Sequence, residues 1–220
     1  MPYEHILFVE GPDDRHALFH LLKRHGIDVC FFDVEEIDLI SGVIAIKPLG
    51  GYPELRRRLP RELQISSRLL RAGIVVDAND DVSDRWDSLR TRIVESGGEE
   101  LPPALSPDGW VGIVRLADRS PVVGAWLMPD NQNPGALEEF AQRLMPPDDP
   151  LWEYAGHCIG SLPERRFAES HLNKARVHTW LAWQEEPGKP IGQAITKGFL
   201  NPQAQTARNF VAWVRRLFSV

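Results

Sequence analysis

Short apolar runs that stop at an acid constrain this chain more than any other feature. HILFVE ends at Glu10, AGIVVD ends at Asp77 in an acidic burst through Asp81, and VVGAWLMPD reaches Asp130. Runs this short, rich in Ile, Val and aromatic residues, read as strands rather than helices. The two that carry Ile6 and Ile74 lack polar alternation, as do strands covered on both faces in a parallel sheet. The expected fold class is therefore α/β, a Rossmann-like and mostly parallel central sheet flanked by helices.

The remaining segments fit that frame. Asp13 or Asp14 is the expected N-cap of a helix through ALFHLLKRH, stopped at Gly26. IDVCFFDV (27–34) and SGVIAIKPL (41–49) read as strands, the second punctuated by Gly50 and Gly51. A basic amphipathic stretch, ELRRRLPRELQISSRLLR (54–71), precedes the Ile74 strand. DVSDRWDSLRTRIVESGG reads as a capped helix ending at Gly97 and Gly98. WVGIVRLADRSPVVGAWLMPD reads as two strands around a turn at Asp118–Pro121. A helix through ALEEFAQRLM follows Asn133, Pro134 and Gly135. Beyond Pro146 and Pro147 the pattern is helical and rich in Trp. Asn201 and Pro202 are the expected N-cap and first residue of the final helix. The expected division is an α/β core over 1–146 and a helical C-terminal extension over 147–220 packed on it.

Charge narrows the functional classes. With 25 Lys and Arg against 31 Asp and Glu, the net charge of −6 argues against a broad basic surface for nucleic acid. It leaves open an enzyme that touches nucleic acid at a small, metal-loaded site. Two distant cysteines, Cys30 and Cys158, make neither a disulfide framework nor a CxxC zinc motif. The N-terminal apolar run is too short for a signal peptide, and no run reaches a membrane span. A cytoplasmic location and no membrane contact are the expectation.

In an open α/β sheet, functional residues gather beyond the carboxyl ends of the strands. Glu10 and Asp77 at neighbouring strand tips would repel and raise one another's pKa, calling for a proton, a cation or a metal. Hard oxygen ligands at such an edge suit Mg²⁺ or Mn²⁺. Ions held there can activate water and stabilise the leaving oxygen in phosphodiester cleavage. Each acid also has a structural alternative. Glu10 can end its strand, Asp77, Asp80, Asp81 and Asp84 can serve turns and caps, and Asp130 can belong to a turn.

FVEGPDD followed by VVDANDD resembles the TOPRIM domain of topoisomerases, DnaG-type primases and OLD nucleases. Glu10, Gly11 and Asp14 fit its first motif, and Asp77 fits the first Asp of its DxD. Over nearly all 220 residues, including GAWLMPDNQNPGALEEF and HTWLAWQEEPGKPIGQAI, the chain also resembles a TOPRIM-related bacterial family of unassigned function. The departure is Asn79 in place of the second Asp of DxD. Its carbonyl can face a cation but adds no charge.

The resemblance implies roles. Glu10 is a metal ligand or general base, Asp77 the central metal ligand, and Asp80 or Asp81 completes the first ion's shell. Asp130 is a further ligand, Glu138 supports a second ion, and a solvated helix face is expected for at least one of Glu138 and Glu139. His171, Lys174 and His178 share a helix face. Lys174 is the expected phosphate contact, since OLD nucleases use a lysine downstream of the acids; a polar outer face is the alternative. Trp180, Trp183 and Trp213 sit among apolar neighbours, so core or interface is expected before base stacking. The basic clusters Arg56–Arg58 with Arg61, Arg165-Arg166 and Arg215-Arg216 read as solvated faces unless the fold brings them together.

The implied activity is divalent-metal-dependent phosphodiester cleavage of DNA or RNA with Mg²⁺ or Mn²⁺. A separately encoded ATPase, in phage defence, is the partner the resemblance suggests, and homo-oligomerisation is compatible with it. Two alternatives stand beside this expectation. One is a catalytically impaired TOPRIM module that serves as a regulatory or partner-binding protein, with Asn79 marking a lost ligand. The other is a phosphoacceptor receiver domain using Asp13, Asp14 and Asp77, which the chain's length and the missing late lysine disfavour.

Overall fold

A computed structural model describes residues 3–33, 40–65 and 67–220. Val34, the end of one expected strand, and Ser66, inside the basic stretch, lie outside the described residues. The fold is α/β and Rossmann-like. Six strands, β1 (Tyr3–Val9), β2 (Val29–Phe31), β3 (Ile40–Pro48), β4 (Arg71–Asp77), β5 (Trp110–Ile113) and β6 (Val122–Met128), form one sheet in the order β2-β3-β1-β4-β6-β5. All neighbours are parallel except β5, which runs antiparallel along β6.

Helices cover both faces. α2 (Tyr52–Ile65) and α3 (Val82–Glu95) lie on one. On the other lie α1 (Pro12–Arg24), α4 (Leu137–Gln142), α5 (Pro150–Gly160), α6 (Leu172–Ala182), α7 (Ile191–Lys197) and α8 (Gln205–Phe218). This double cover explains why the strands lack polar alternation. Leu7, Val9 and Val75 enter the core on the α1 side, while Ile6, Phe8, Ile74 and Val76 enter the core on the α2 side. The C-terminal helices share that first core with the sheet. Trp213 and Phe210 of α8 pack on Trp126 of β6, with ring centroids 5.8 and 5.4 Å away. Gly73 on β4 and Gly124 on β6 make the close approach of α8 possible. A Cβ at Gly73 would lie 2.5 Å from Leu7 Cδ1 and 3.1 Å from Leu217 Cδ2, and one at Gly124 would lie 2.9 Å from Leu217 Cδ2.

Local chemistry moves several element ends. α1 is capped by Gly11 rather than by Asp13 or Asp14. Pro12 takes the first helical position, where its missing N–H costs nothing, and Asp14 reaches back to accept the Gly11 N–H at 2.8 Å. α8 starts at Gln205, later than Asn201 and Pro202, because Asn201 folds a turn first and accepts the Gln203 N–H at 2.9 Å. Among the described residues, the strand expected over 27–34 forms as Val29–Phe31. Cys30 and Cys158 are half-buried. Among the described residues, no helix is long and apolar enough to cross a membrane.

α3 closes at Ser96 and the chain turns through Gly97 at φ +100°, a conformation that disfavours any side chain. Gly97 also accepts the Arg115 N–H at 2.8 Å, and a Cβ there would sit 2.1 Å from the Arg115 carbonyl oxygen. Backbone meets backbone at that point, so no rotamer change relieves the clash. Gly97→Ala is expected to cost at least about 2 kcal/mol of stability, read as a lower urea midpoint. An unchanged midpoint would contradict this packing.

Candidate functional site

The parallel registers bring the carboxyl ends of β1, β4 and β6 to one edge. Phe8 lies opposite Ile74, and Asp77 opposite Met128. Glu10 follows β1 and Asp77 ends β4, so both acids stand at adjacent tips. They are linked directly, since Glu10 Oε1 accepts the Asp77 backbone N–H at 2.9 Å. The loop between β3 and α2 wraps the same tip. Gly50 and Gly51, at φ +89° and +91°, donate their N–H groups to the Glu10 carbonyl at 2.9 and 2.8 Å, and the Tyr52 N–H reaches the Glu10 carboxylate.

Two further carboxylates join this pair. Asp14 lies one helical turn beyond Glu10. Glu138 is buried at the start of α4. What carries Glu138 inward is a small backbone clasp: Asn79 and Gly135 exchange N–H···O bonds at 2.8 and 2.7 Å, tying the loop after β4 to the loop before α4. Asn79 holds φ 54° in this clasp, a left-handed conformation that Asn adopts more readily than most residues. The Asn of the altered DxD thus has a backbone reason to be there.

The charges of the neighbouring acids bear on Asp14 and Asp77. Burial pushes the Asp77 carboxyl up to about 8, helped by the charges of Asp14, Glu10 and Glu138 and opposed by Arg85. Burial likewise pushes Asp14 up to about 6, against the Gly11 N–H and with the charges of Glu10 and Glu138. Glu10 is raised by burial, with the N–H groups of Asp77 and Tyr52 and the Arg85 charge opposing. Such a cluster favours protons or a bound cation.

The donor set is all hard oxygen and suits Mg²⁺ or Mn²⁺ in charge and chemistry. Among the described residues, no three His, Cys, Asp or Glu side chains are drawn into a ready-made metal cage.

Cations flank the acids from the two helical layers. On the α2 and α3 side, the Arg85 guanidinium lies 3.6 Å from the centre of the Tyr52 ring, with Nη1 4.0 Å from Glu10 Oε1. On the other side, Lys174 of α6 pairs with Glu138 at 2.7 Å. That hydrogen bond raises the Lys174 pKa, with burial opposing and the charges of Glu138, Asp13 and Asp14 adding. His178 borders a small cleft beside Asp13, His16 and Glu138, while His171 precedes the first turn of α6.

The other sequence-selected acids lie in different company. Asp81 caps α3, accepting the N–H groups of Ser83 and Asp84 at 2.7 and 3.0 Å. Asp80 is exposed in the preceding turn. Asp130 is held by its own loop and by Arg143: it accepts from the N–H groups of Gln132 and Asn133 at 3.1 and 2.9 Å and pairs with the Arg143 guanidinium. Although burial raises its pKa, these hydrogen bonds and the Arg143 charge hold Asp130 below the usual range. It is not among the charges that act on Asp77.

The expectation that Glu138 or Glu139 lies on a solvated helix face needs correction. Glu138 is buried, and Glu139 is held in a clamp, accepting the Ala136 N–H and the Asn173 amide, both at 2.7 Å. The basic clusters do not meet at the site. Arg57 pairs with Glu54, Arg58 with Glu62 and Arg165 with Glu169, while Arg215 and Arg216 bond the carbonyls of His25 and Asp108. Trp180 and Trp213 are fully buried, whereas Trp183 is 37% exposed and packs against Tyr154.

Sequence reasoning reads Asp14 as a cap and as a fit to the first motif, without a ligand role, and passes over Arg85. Arg85, between Asp84 and Trp86, looks like any polar helix residue.

Residues 4–219 match a family described as a protein of unknown function, DUF3226. No curated protein and no solved structure matches the chain.

Proposed function

We propose that this chain, which belongs to the DUF3226 family, is a divalent-metal-dependent phosphodiesterase of TOPRIM type that cleaves DNA or RNA. The observation that carries the proposal is the convergence of Glu10, Asp14, Asp77 and Glu138 on one sheet edge, where burial and the neighbouring carboxylates raise the pKa values of Asp14 and Asp77. Four acids gathered around a structural turn would be a costly way to end strands. Around a divalent cation and a phosphate they make chemical sense.

Asp77, Asp14 and Glu138 are the residues that would hold Mg²⁺ or Mn²⁺, with Glu10 beside them as the base. When bound, such an ion supplies Lewis-acid polarisation of the phosphodiester and lowers the pKa of water beside it. Burial raises the Glu10 pKa, the direction that suits a general base. Glu10 takes one proton from the attacking water as the water oxygen bonds to phosphorus. The bond from phosphorus to the leaving sugar oxygen breaks, and that oxygen gains a proton from solvent. Lys174 offsets the charge of Glu138 and stands at the rim where an incoming backbone phosphate would pass.

By the same resemblance, the protein works in the cytoplasm, and a separately encoded ATPase in phage defence and a second copy of the chain are the partners to seek. The direct test uses the full chain with plasmid, single-stranded DNA and RNA in Mg²⁺ or Mn²⁺. Cleavage by the wild type and a loss of about 10³-fold or more in Glu10→Ala is expected. Equal activity in both proteins would sink the assignment. Mn²⁺ calorimetry separates the alternative, because a regulatory module with a degraded site would bind no metal.

A further inference from the structure

The cation that best fits a phosphate in this site is the one the sequence did not advertise. Arg85 stands on the first turn of α3, its side chain only 13% exposed, with its guanidinium lying over Tyr52. Its Nη1 is fully buried and has no hydrogen-bond partner among the described residues. Glu10 is the adjacent anion, yet at 4.0 Å the contact is too long for a hydrogen bond. Glu10 Oε1 is engaged instead by the Asp77 N–H.

An arginine whose only task is to neutralise a carboxylate normally forks onto it with two short bonds. This one does not. It is fixed by an aromatic face, which constrains the plane of the guanidinium while leaving Nη1 without an acceptor. A buried, unmatched donor is unfavourable by itself and marks a place where an acceptor is missing. The acceptor must be compatible with the Glu10 and Asp77 carboxylates nearby, so a free anion is a poor candidate. A phosphate oxygen accompanied by a divalent cation is a good one.

We propose that Arg85, positioned by Tyr52, donates from Nη1 to a non-bridging oxygen of the scissile phosphate and is a catalytic residue of the site. The proposal rests on the phosphodiesterase reading above. In this arrangement the phosphate is approached from one helical layer by Arg85 and from the other by Lys174, with the acids between them. The Arg85 donor faces the oxygens on which charge accumulates as the water oxygen bonds to phosphorus, so its effect falls on turnover more than on binding of distant nucleotides.

The test compares wild type with Arg85→Met, which keeps bulk over Tyr52 without charge, and Arg85→Lys, which keeps charge without the planar fork. Each full-length protein is first checked for an intact fold by near-UV circular dichroism. Turnover of a nucleic-acid substrate is then measured with Mn²⁺, together with Mn²⁺ binding by calorimetry and oligonucleotide affinity in Ca²⁺. Arg85→Met is expected to lose about 100-fold or more in kcat while binding Mn²⁺ at least as tightly as wild type, and to bind the oligonucleotide more weakly. Arg85→Lys is expected to recover only part of the turnover, and it carries the test if Arg85→Met fails to fold.

If wild type cleaves and the folded variants stay within about threefold of it, well short of that loss, the role of Arg85 is overturned and the phosphodiesterase reading stands. Tighter Mn²⁺ binding with unchanged turnover and oligonucleotide affinity would make Arg85 a counter-charge only, which also overturns the proposal. If wild type cleaves nothing, the phosphodiesterase reading falls and takes this role with it.

Discussion

Asp77→Asn is expected to make the metal-free protein more stable at pH 8 and, at the same time, inactive on nucleic acid. Burial among acids pushes Asp77 up to about 8 in the folded protein, whereas in an unfolded chain an Asp titrates near about 3.9. Between those values the folded state holds a proton that the unfolded state has released. Stability from this group is therefore fully present below about pH 4 and is lost as pH rises toward 8. Asp14, pushed up to about 6, contributes in the same direction over a lower window. One retained proton gives a slope of about 1.4 kcal/mol per pH unit, so lowering the pH from 8 to 6 should add on the order of 2 kcal/mol from Asp77. Asn imitates the protonated carboxyl at every pH and should flatten that slope.

The measurement is urea unfolding in EDTA at pH 6 and pH 8. Wild type should gain stability on acidification over this range, with Asp77→Asn nearly level and above wild type at pH 8. Added Mn²⁺ should raise the wild-type midpoint by mass action and leave the variant unmoved. Cleavage should fall by at least about 10³-fold in the variant. Wild-type stability that rises between pH 6 and pH 8, with a less stable variant at pH 8, would remove the strained acid cluster from consideration.

Trp213→Ala carries the largest expected structural effect. The side chain is fully buried, its Nε1 donates to the Trp110 carbonyl at 3.1 Å, and its ring meets both Trp126 and Phe210. The substitution removes this contact area and takes from the Trp110 carbonyl on β5 its indole donor. A loss of about 3–5 kcal/mol is expected, by urea unfolding, with Trp213→Phe recovering part of it. A cost below about 1 kcal/mol, less than a buried aromatic normally contributes, would mean that α8 is only loosely seated on the sheet.

Much of the architecture was legible because buried parallel strands and their acidic ends leave a local mark. Glu10 and Asp77 stand out because a carboxylate placed directly after Phe8-Val9 or Val75-Val76 sits where the chain leaves a dry core. Element ends were harder. Gly11 with Pro12 outcompetes Asp13 and Asp14 as the start of α1, and Asn201 commits its carbonyl to a turn before α8 begins. Both outcomes depend on which of several polar groups reaches a given N–H first, which spacing alone does not rank.

The site divides along the same line. Asp81 and Asp130 look like ligands in the sequence, but local N–H groups within three residues claim them. Glu138 is carried inward by a backbone clasp between Asn79 and Gly135, a contact far apart in sequence. Arg85 is defined by Tyr52, from another helix. Pairings between distant segments leave little trace in a single sequence, and those pairings decide which charges face the acids.

The strand order also has a consequence for how the protein comes into being. β1 is central, yet its neighbours β3 and β4 are both synthesised after it, and α8, which covers Trp126, comes later still. During translation the first strand must wait without a sheet, and the completed sheet must wait with one apolar face uncovered. Such waiting surfaces are what chaperones bind and what aggregation exploits. Slow emergence from the ribosome should therefore harm this protein more than one whose neighbouring strands are also neighbours in sequence.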